Sequence, residues 1–315
     1  MLRGLRGTLA SANLGLRNFS TTASNMVLRV GWHREHFLSP LLQLAEQDGG
    51  KTFTLVECPG GTGDMQAKLK NDEIDVCIAL TDALTAGIAN GQKSYKLVGR
   101  YISSPLRWAI ITGKDSKYQT VDDLKGTTFG ISRLGSGSQV MASVLSLNEG
   151  WSQADQPQFK VEGQFKPLRD SVNRGDTSVF LWEWFTTKPY VDSGEVRFIG
   201  SVYTPWPCWS IAASPNADNK EVSSFLEALQ PYVRKFDSEE SRAGPAVEFV
   251  AKTFGQQPED VKEWLKSVKW EHNLDEVSEG VLKTTLETLE KAGVVKDAKY
   301  DIKDFVNTDV AKVVA

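Results

Sequence analysis

Short apolar runs alternate with segments of helical periodicity along most of the chain. The runs are rich in β-branched and aromatic residues and predict ten strands: Val27–Gly31, Phe53–Glu57, Asp75–Ala79, Tyr95–Tyr101, Arg107–Thr112, Thr128–Ile131, Phe159–Glu162, Ser178–Leu181, Val196–Ile199 and Trp209–Ala213. Such alternation is typical of α/β proteins, in which helices cover largely parallel sheets.

The segments between these runs place apolar residues at helical spacing. They predict covering helices at Pro40–Gln47, Met65–Asn71, Ala83–Asn90, Gln139–Glu149 and Trp184–Val191. From Lys220 onward the pattern is almost wholly helical, with Glu221–Phe236, Ala246–Phe254, Pro258–Ser267 and Glu276–Ala292. We expect these C-terminal helices to pack against one of the preceding domains, because their apolar faces must be buried.

Two proline-bearing segments, Tyr101–Arg107 and Tyr203–Cys208, are each followed by a fresh apolar strand. They are interpreted as crossings between two lobes. Lobe I then comprises residues 26–104 and 206–315, and lobe II comprises residues 105–205. A chain of about 290 residues beyond the leader favours two lobes over one core. Two crossovers between lobes make a hinge.

The first 25 residues have the composition of a mitochondrial transit peptide. No acidic residue precedes Glu35, and Arg3, Arg6 and Arg17 lie off a row of leucines at helical spacing. A basic amphipathic helix of this kind is read by import receptors. We therefore expect the mature protein in the mitochondrial matrix, with Met26 as an alternative start for a cytosolic form. A disordered N-terminal extension is the other interpretation.

Net charge, hydropathy and cysteine spacing argue against several classes of partner and site. Removing the three leader arginines takes the formal charge from −4 to −7, which argues against a nucleic-acid partner. No apolar run approaches the ~20 residues that a membrane span needs. Cys58, Cys77 and Cys208 are far apart and lack metal-ligand spacing, so we expect reduced thiols. We expect neither a metal nor a cofactor.

Polar residues follow two strands of the predicted first lobe. Thr62 and Gly63 lie in a glycine-rich turn between a strand and a helix, where free N–H groups suit a phosphate, carboxylate or sulfonate. Thr81 and Asp82 follow the next strand and open the helix after it. Helix capping alone accounts for each pair equally well. Ser103, in the first crossing, is a further candidate.

Hydroxyl groups also open the first helix of the second lobe. Ser136, Gly137 and Ser138 place two hydroxyls and open N–H groups at the start of that helix, which predicts an anion-tolerant edge. Plain N-capping is the alternative. A serine nucleophile is not indicated, because the G-x-S-x-G elbow is absent.

Aromatic and ionisable residues complete the candidate cleft. Trp32 and His36 follow the first strand, where an indole can stack on a planar ligand and an imidazole can bond to it. Trp182 and Glu183 follow a second-lobe strand, and burial there raises a carboxyl pKa. Trp206, near the returning crossing, is expected either in the cleft or as an anchor.

The order of these parts resembles the type II periplasmic-binding superfamily over roughly residues 27–289. The residues that carry the resemblance are GWHREHFLSPLLQLAE from Gly31, GGTGDM from Gly60, NDEIDVCIALTDAL from Asn71, VDDLKGTTFGISRLGSGSQV from Val121 and FLWEWF from Phe180. Within the superfamily they are similar to the branch of nitrate, sulfonate and taurine binders and fungal thiamine-pyrimidine-precursor proteins. The resemblance implies a ligand in the cleft between two lobes.

Binding without catalysis is therefore the first hypothesis, with a small, polar, planar heteroaromatic or anionic metabolite as the partner. A thiamine-pyrimidine type of enzyme is an alternative, but the position that matches its pyridoxal phosphate-binding lysine falls at or near Ala79, and its cysteine run is reduced to Cys208. A hydrolase or transferase that uses His36 with Glu183 or Asp82 is another alternative.

Overall fold

The computed structural model describes residues 27–296 and 300–315. The predicted leader, residues 1–25, lies outside the described residues. No helix among the described residues is both long and apolar enough to cross a membrane.

The strands are β1 Leu28–Trp32, β2 Phe53–Glu57, β3 Val76–Leu80, β4 Lys96–Ile102, β5 Arg107–Gly113, β6 Thr128–Ile131, β7 Gln158–Val161, β8 Val179–Glu183, β9 Val196–Tyr203, β10 Trp209–Ala213, β11 Glu276–Ser278 and β12 Lys312–Val314. The α-helices are α1 Ser39–Asp48, α2 Thr62–Lys70, α3 Thr81–Ala89, α4 Gly137–Asn148, α5 Phe165–Arg174, α6 Trp184–Asp192, α7 Asn219–Phe236, α8 Glu239–Ala243, α9 Pro245–Phe254, α10 Pro258–Ser267, α11 Glu279–Lys291 and α12 Ile302–Phe305. Both classes of element alternate through most of the chain.

Two five-stranded sheets form the two lobes. Lobe I has the order β2-β1-β3-β10-β4, and lobe II has the order β7-β6-β8-β5-β9. Four of the five strands in each sheet run in the same direction, as the sequence predicted, whereas β10 in lobe I and β5 in lobe II run antiparallel to both of their neighbours. Each of these two strands is the first strand that the chain forms after it crosses from the other lobe.

The two crossovers are hydrogen-bonded to each other. Leu106 and Thr204 exchange two bonds: Leu106 N donates to Thr204 Oγ1 at 3.0 Å, and Thr204 N donates to the Leu106 carbonyl at 3.0 Å. Cys208 N donates to the Ser104 carbonyl at 3.1 Å. The two segments that connect the lobes are therefore hydrogen-bonded to each other and form one hinge beside the cleft.

The C-terminal helices pack on lobe I, with α7 against α1 and α11 against α3. Trp264 of α10 is among the largest fully buried side chains. The prediction of an almost wholly helical block is wrong at its end, because β11 and β12 pair as a small parallel sheet. Each has only three residues, too few for a sequence period to indicate a strand.

Candidate functional site

A cavity of about 760 Å³ lies between the lobes. Its walls come from the ends of β1, β3 and β8, the beginnings of α2, α4, α5 and α6, and the turn that follows α9. Loops and helix starts from both lobes meet there, next to the carboxyl ends of β1, β3 and β8. This is the usual place for a ligand in two-lobed α/β proteins.

Two helix N-termini face the cavity. Thr62 begins α2, and its Oγ1 accepts a hydrogen bond from Leu80 N at 3.2 Å. Ser136 precedes α4, and its hydroxyl lies 2.8 Å from the Ser138 hydroxyl, which accepts a bond from Ser132 N. The first N–H groups of a helix have no partner within the helix, and they carry partial positive charge. This edge of the cavity favours an anion.

Arg133 adds a full positive charge to the same edge. It precedes α4 in lobe II, lines the cavity and is half-buried. Its guanidinium packs on Gly63 of lobe I, where a Cβ would lie 2.2 Å from Arg133 Nε. Within the described residues it forms no ion pair with a carboxylate. Burial lowers its pKa, and the charge of Asp82 opposes that change.

Three ionisable side chains form a second polar cluster. One possible ligand atom from each of Glu35, His36 and Glu183 lies within 4.8 Å of the others. Thr186 holds both carboxylates: its Oγ1 donates to Glu35 at 2.8 Å, and its N–H donates to Glu183 as the cap of α6. All three ionisable groups are buried, with exposures of 7, 1 and 5 %.

Burial sets the protonation of this cluster. It raises the pKa of both carboxyls, and the proximity of Glu35 raises that of Glu183 further. Burial lowers the pKa of His36 to about 3, so the imidazole is neutral near pH 7. His36 Nδ1 lies 3.1 Å from Gln256 Nε2, while its Nε2 has no partner among the described residues.

An aromatic wall covers the lobe II side. Trp182 stacks on Phe165 with ring centroids 5.0 Å apart. Tyr190 meets Phe165 edge-on at 5.3 Å, and the Arg169 guanidinium lies 3.6 Å from the Tyr190 ring centroid. All four side chains line the cavity. Such a wall suits a planar or apolar part of a ligand.

The structure brings seven of the predicted site residues together at the cavity: His36, Thr62, Ser136, Gly137, Ser138, Trp182 and Glu183. Gly137 has a packing reason as well, because a Cβ there would lie 2.9 Å from the Trp108 ring and 3.1 Å from Leu80. Glycine therefore lets lobe II approach lobe I closely at this point.

The other predicted residues do not line the cavity. Trp32 packs against the lobe I core, and Gly63 lies behind Thr62, covered by Arg133. Thr81 is buried, with its hydroxyl 2.9 Å from that of Ser210 in the neighbouring strand. These placements correct the predicted contacts.

Asp82, Ser103 and Trp206 are also displaced from the predicted cleft. Asp82 is buried, and burial raises its pKa to about 6. Trp206 is 1 % exposed and belongs to the core, which leaves the anchor interpretation. Ser103 donates to the Lys269 carbonyl on the far side of the first crossover.

Sequence reasoning missed Arg133, Phe165 and Gln256. Arg133 is an isolated arginine in a loop, and Phe165 opens an ordinary amphipathic helix. Gln256 reaches the cavity from a turn 220 residues after His36. The pattern of the chain carried no signal for the last of these, because the contact depends on how the C-terminal block packs.

The positions tied to pyridoxal phosphate chemistry are buried. Ala79 lies inside β3 with no exposed surface, and Cys208 is a buried free thiol, as are Cys58 and Cys77. Burial raises the Cys208 pKa well above its ordinary value, so this sulfur remains a thiol at neutral pH.

A family model described as Ca3427-like PBP matches residues 108–202, which run from β5 to β9. The Candida albicans CA3427 gene product, described as defining a new family with the generic periplasmic binding protein fold, is 31% identical. That match covers 92% of this chain and 99% of the other, with a TM-score of 0.81. No curated protein sequence gives a significant match.

Two bacterial structures share the fold at lower identity. The alkanesulfonate-binding protein SsuA from Xanthomonas axonopodis pv. citri, bound to MOPS, is 19% identical, with a TM-score of 0.67 over 91% of this chain and 98% of that one. The aliphatic sulphonate binding protein SsuA from Escherichia coli is 18% identical, with a TM-score of 0.64 over 89% and 91%. The architecture is thus a type II periplasmic-binding fold, and the chain belongs to the family defined by the Candida albicans CA3427 protein.

Proposed function

We propose that this protein binds a small molecule with an anionic group in the cavity between its lobes. The observation that carries the proposal is Arg133, a half-buried guanidinium at the cavity without a carboxylate partner among the described residues. The only carboxylate in the described chain whose charge acts on this guanidinium is Asp82, which forms no ion pair with it, so an anionic ligand would supply a direct charged partner. The N-termini of α2 and α4 add N–H donors on the same edge.

The aromatic wall supports a ligand with a planar part beside its anionic group. Trp182 and Phe165 are already stacked on each other and so are held in place, which lowers the entropy lost when a ligand packs on them. The cavity volume of about 760 Å³ is within the range of small-molecule sites. A heteroaromatic carboxylate, phosphate or sulfonate combines both features.

The bacterial relatives suggest which anion to test first. Both are named for sulfonate binding, and one holds MOPS. At this level of identity they share only the fold, so the ligand class proposed for this chain rests on Arg133 and the two helix starts. The relatives make a sulfonate the natural first probe.

Binding is favoured over acid–base chemistry. His36 and Glu183 do meet at the cavity, as the hydrolase hypothesis requires. Burial lowers the pKa of His36 to about 3, which is poorly matched to proton transfer near pH 7, whereas burial raises the pKa of Glu183 to about 8. The proposal therefore rests on the anion-binding edge and not on the exclusion of a catalytic carboxyl. Turnover by the purified protein is the direct test, with product formation supporting the enzyme hypothesis.

The experiment is a thermal-shift screen of the protein against sulfonates, nitrate, heteroaromatic carboxylates and phosphates, followed by calorimetry of each hit. A ligand at 100 times its Kd should add about 2.7 kcal/mol to the free energy of unfolding. Arg133→Gln should weaken binding of an anionic hit by at least about tenfold, since a charged hydrogen bond contributes about 1.5–3 kcal/mol.

Arg174→Gln is the matched control, because Arg174 is an exposed lobe II arginine paired with Asp176. It should bind the hit as the wild type does. Hits that are exclusively neutral or cationic, or equal loss of affinity in both variants, would overturn the proposal.

A further inference from the structure

Arg169 places a second guanidinium at the cavity, in addition to Arg133. It is the fifth residue of α5, lines the cavity and is 7 % exposed. Arg133 reaches the same cavity from the loop between β6 and α4. The segments that carry these arginines follow β6 and β7, which are neighbouring parallel strands of lobe II. The lobe II wall of the cavity therefore carries two arginines.

The Arg169 guanidinium is held in position by three side chains. Its Nε donates to Glu195 Oε1 at 2.8 Å. Its central carbon lies 3.6 Å from the Tyr190 ring centroid and 4.6 Å from the Phe165 ring centroid. Packing against aromatic rings keeps the planar fork of N–H donors in one orientation. Little conformational entropy is then lost when an anion binds to this arginine.

Most donors of this guanidinium are available to a ligand. Glu195 takes only Nε, and neither Nη group makes a hydrogen bond within the part of the chain that the structure describes. Both Nη groups are also reachable, since neither is among the buried polar atoms that lack a partner. Glu195 does not line the cavity. Arg169 can therefore bind a second carboxylate or sulfonate from the cavity side while Nε keeps its present partner.

The two arginines and the aromatic wall together indicate the class of ligand. Phe165 contacts Arg169 on one side and stacks on Trp182, so a planar surface lies beside the second guanidinium. Given the proposed anion site at Arg133, on which this step rests, we propose that the ligand is an aromatic dianion. One anionic group binds at Arg133 and the N-terminus of α4, and the other binds at Arg169.

A second basic residue of α5 is not equivalent to Arg169. Lys166 also lines the cavity, but its side chain is 72 % exposed and lies 2.7 Å from a carboxylate oxygen of Asp170. Water weakens the interactions of an exposed charge, and a lysine lacks the planar fork that matches a carboxylate or sulfonate. The second anionic group is therefore assigned to Arg169, and Lys166→Gln should bind it as the wild type does.

The test compares three probes that share one aromatic ring: benzenesulfonate, para-sulfobenzoate and para-carbamoylbenzenesulfonate. The second adds a carboxylate to the first, and the third adds a neutral amide of similar shape. Calorimetry of the full chain should give a Kd for para-sulfobenzoate at least about tenfold lower than for the other two, because only its carboxylate gains a charged hydrogen bond. The meta isomer of sulfobenzoate repeats the comparison at a shorter spacing of the two groups.

Arg169→Gln should remove the preference for para-sulfobenzoate and leave the affinity for benzenesulfonate unchanged. The readout is the ratio of two Kd values from one preparation, which partial loss of folded protein does not alter. Glu195→Gln keeps an oxygen that accepts from Arg169 Nε and removes the competing charge, so it should keep or raise the preference. Arg174→Gln, an exposed arginine of the same helix paired with Asp176, is the matched control and should leave the ratio unchanged.

The outcomes separate this proposal from the proposed function. Equal affinity of the wild type for benzenesulfonate and both sulfobenzoates, an undiminished preference in Arg169→Gln, or a reduced preference in Glu195→Gln would overturn the dianion. Benzenesulfonate binding that is weakened by Arg133→Gln would then leave the anion site itself intact. If no probe binds, or if Arg133→Gln binds all of them normally, the site at Arg133 fails and the dianion fails with it.

Discussion

Gly63 controls the position of Arg133 through the absence of a methyl group. It is the second residue of α2, and any Cβ there would meet the guanidinium of Arg133 at 2.2 to 2.9 Å. The side chain of Arg133 is flexible, so it would move rather than the helix. The cost of a larger residue at this position should appear in ligand binding more than in stability.

Gly63→Ala should therefore weaken binding of an anionic ligand by roughly tenfold, the equivalent of about 1.4 kcal/mol, with little change in Tm. Gly280→Ala is the matched control, because Gly280 is also the second residue of its helix, α11, and its nearest neighbour is 3.7 Å from the added Cβ. Calorimetry of both variants checks the prediction. Equal affinities for the ligand would contradict it.

Asp82 is a buried carboxyl whose pKa is raised by burial from 3.8 to about 6. Its Oδ2 has no hydrogen-bond partner among the described residues. Because the folded-state pKa lies above the unfolded value, the unfolded chain ionises first as pH rises. Stability is therefore lost between about pH 4 and pH 6, and the penalty is fully present at pH 7.

Asp82→Asn should remove that penalty, raising the free energy of unfolding at pH 7 by up to about 3 kcal/mol from the two-unit shift. It should also flatten the stability curve between pH 4 and pH 6. Urea unfolding across this range gives the measurement, and Asp115→Asn, at an exposed position, is the control. Lower stability of Asp82→Asn at pH 7 would show that the carboxylate is needed.

Some residues of the candidate site could be predicted from the sequence, and others could not. His36, Ser136 and Glu183 were predicted because each follows a recognisable strand or precedes a recognisable helix. Arg133 and Gln256 were not, because their roles come from packing between lobes and from a contact across 220 residues. Strand ends can be located from hydrophobic periodicity, whereas the direction of a side chain at that end cannot.

At the scale of elements, the crossovers depend on one threonine. Thr204 is 3 % exposed, and its hydroxyl both donates to the Trp206 carbonyl at 2.6 Å and accepts from Leu106 N at 3.0 Å. It therefore links the two chains of the hinge. Valine has the same shape but satisfies neither backbone group.

Thr204→Val should lower the free energy of unfolding by about 1–3 kcal/mol, because it leaves buried backbone groups unpaired. Thr284→Val, in the exposed face of α11, should change it by less than about 0.5 kcal/mol. Chemical denaturation compares the two. A neutral Thr204→Val would mean that water replaces the hydroxyl in the hinge.

The elements themselves follow closely from the sequence. The predicted helix Pro258–Ser267 has the observed bounds, and α4 begins two residues before its prediction. The largely parallel direction of the strands also followed, but the antiparallel direction of β5 and β10 did not, because the hydrophobic pattern of a strand does not indicate how its neighbours in the sheet run. β5 and β10 are the strands that follow the two crossovers between lobes, so their direction depends on how the crossovers lead the chain into each sheet.

At the scale of the whole molecule, polar side chains join the lobes across the cleft, among them Thr186 with Glu35 and Lys188 with Asp260. Lys188 of α6 lies 3.6 Å from Asp260 of α10, and it also pairs with Asp192 in its own helix. These side chains are partly exposed, and such pairs contribute about 0–1 kcal/mol. The closed arrangement is thus only weakly favoured by this contact.

Asp260→Asn should therefore move the balance toward open lobes by at most about fivefold, seen as a larger mean radius of gyration in small-angle scattering. Asp192→Asn is the matched control, since it removes the partner of the same lysine within one lobe. A similar expansion in both variants would mean that the charge of Lys188, not the contact between lobes, governs the change.

The predicted mitochondrial leader lies outside the described residues and stays a prediction.

The placement of the indoles has a practical consequence. Trp108 and Trp182 of lobe II and Trp209 of lobe I all line the cavity, while Trp206 and Trp264 are sealed in the core. Their emission reports the polarity around each ring, so the protein carries its own optical probe at the place where a ligand would enter. Occupancy of the cleft can then be followed by intrinsic fluorescence, against a constant background from the core, with no dye attached.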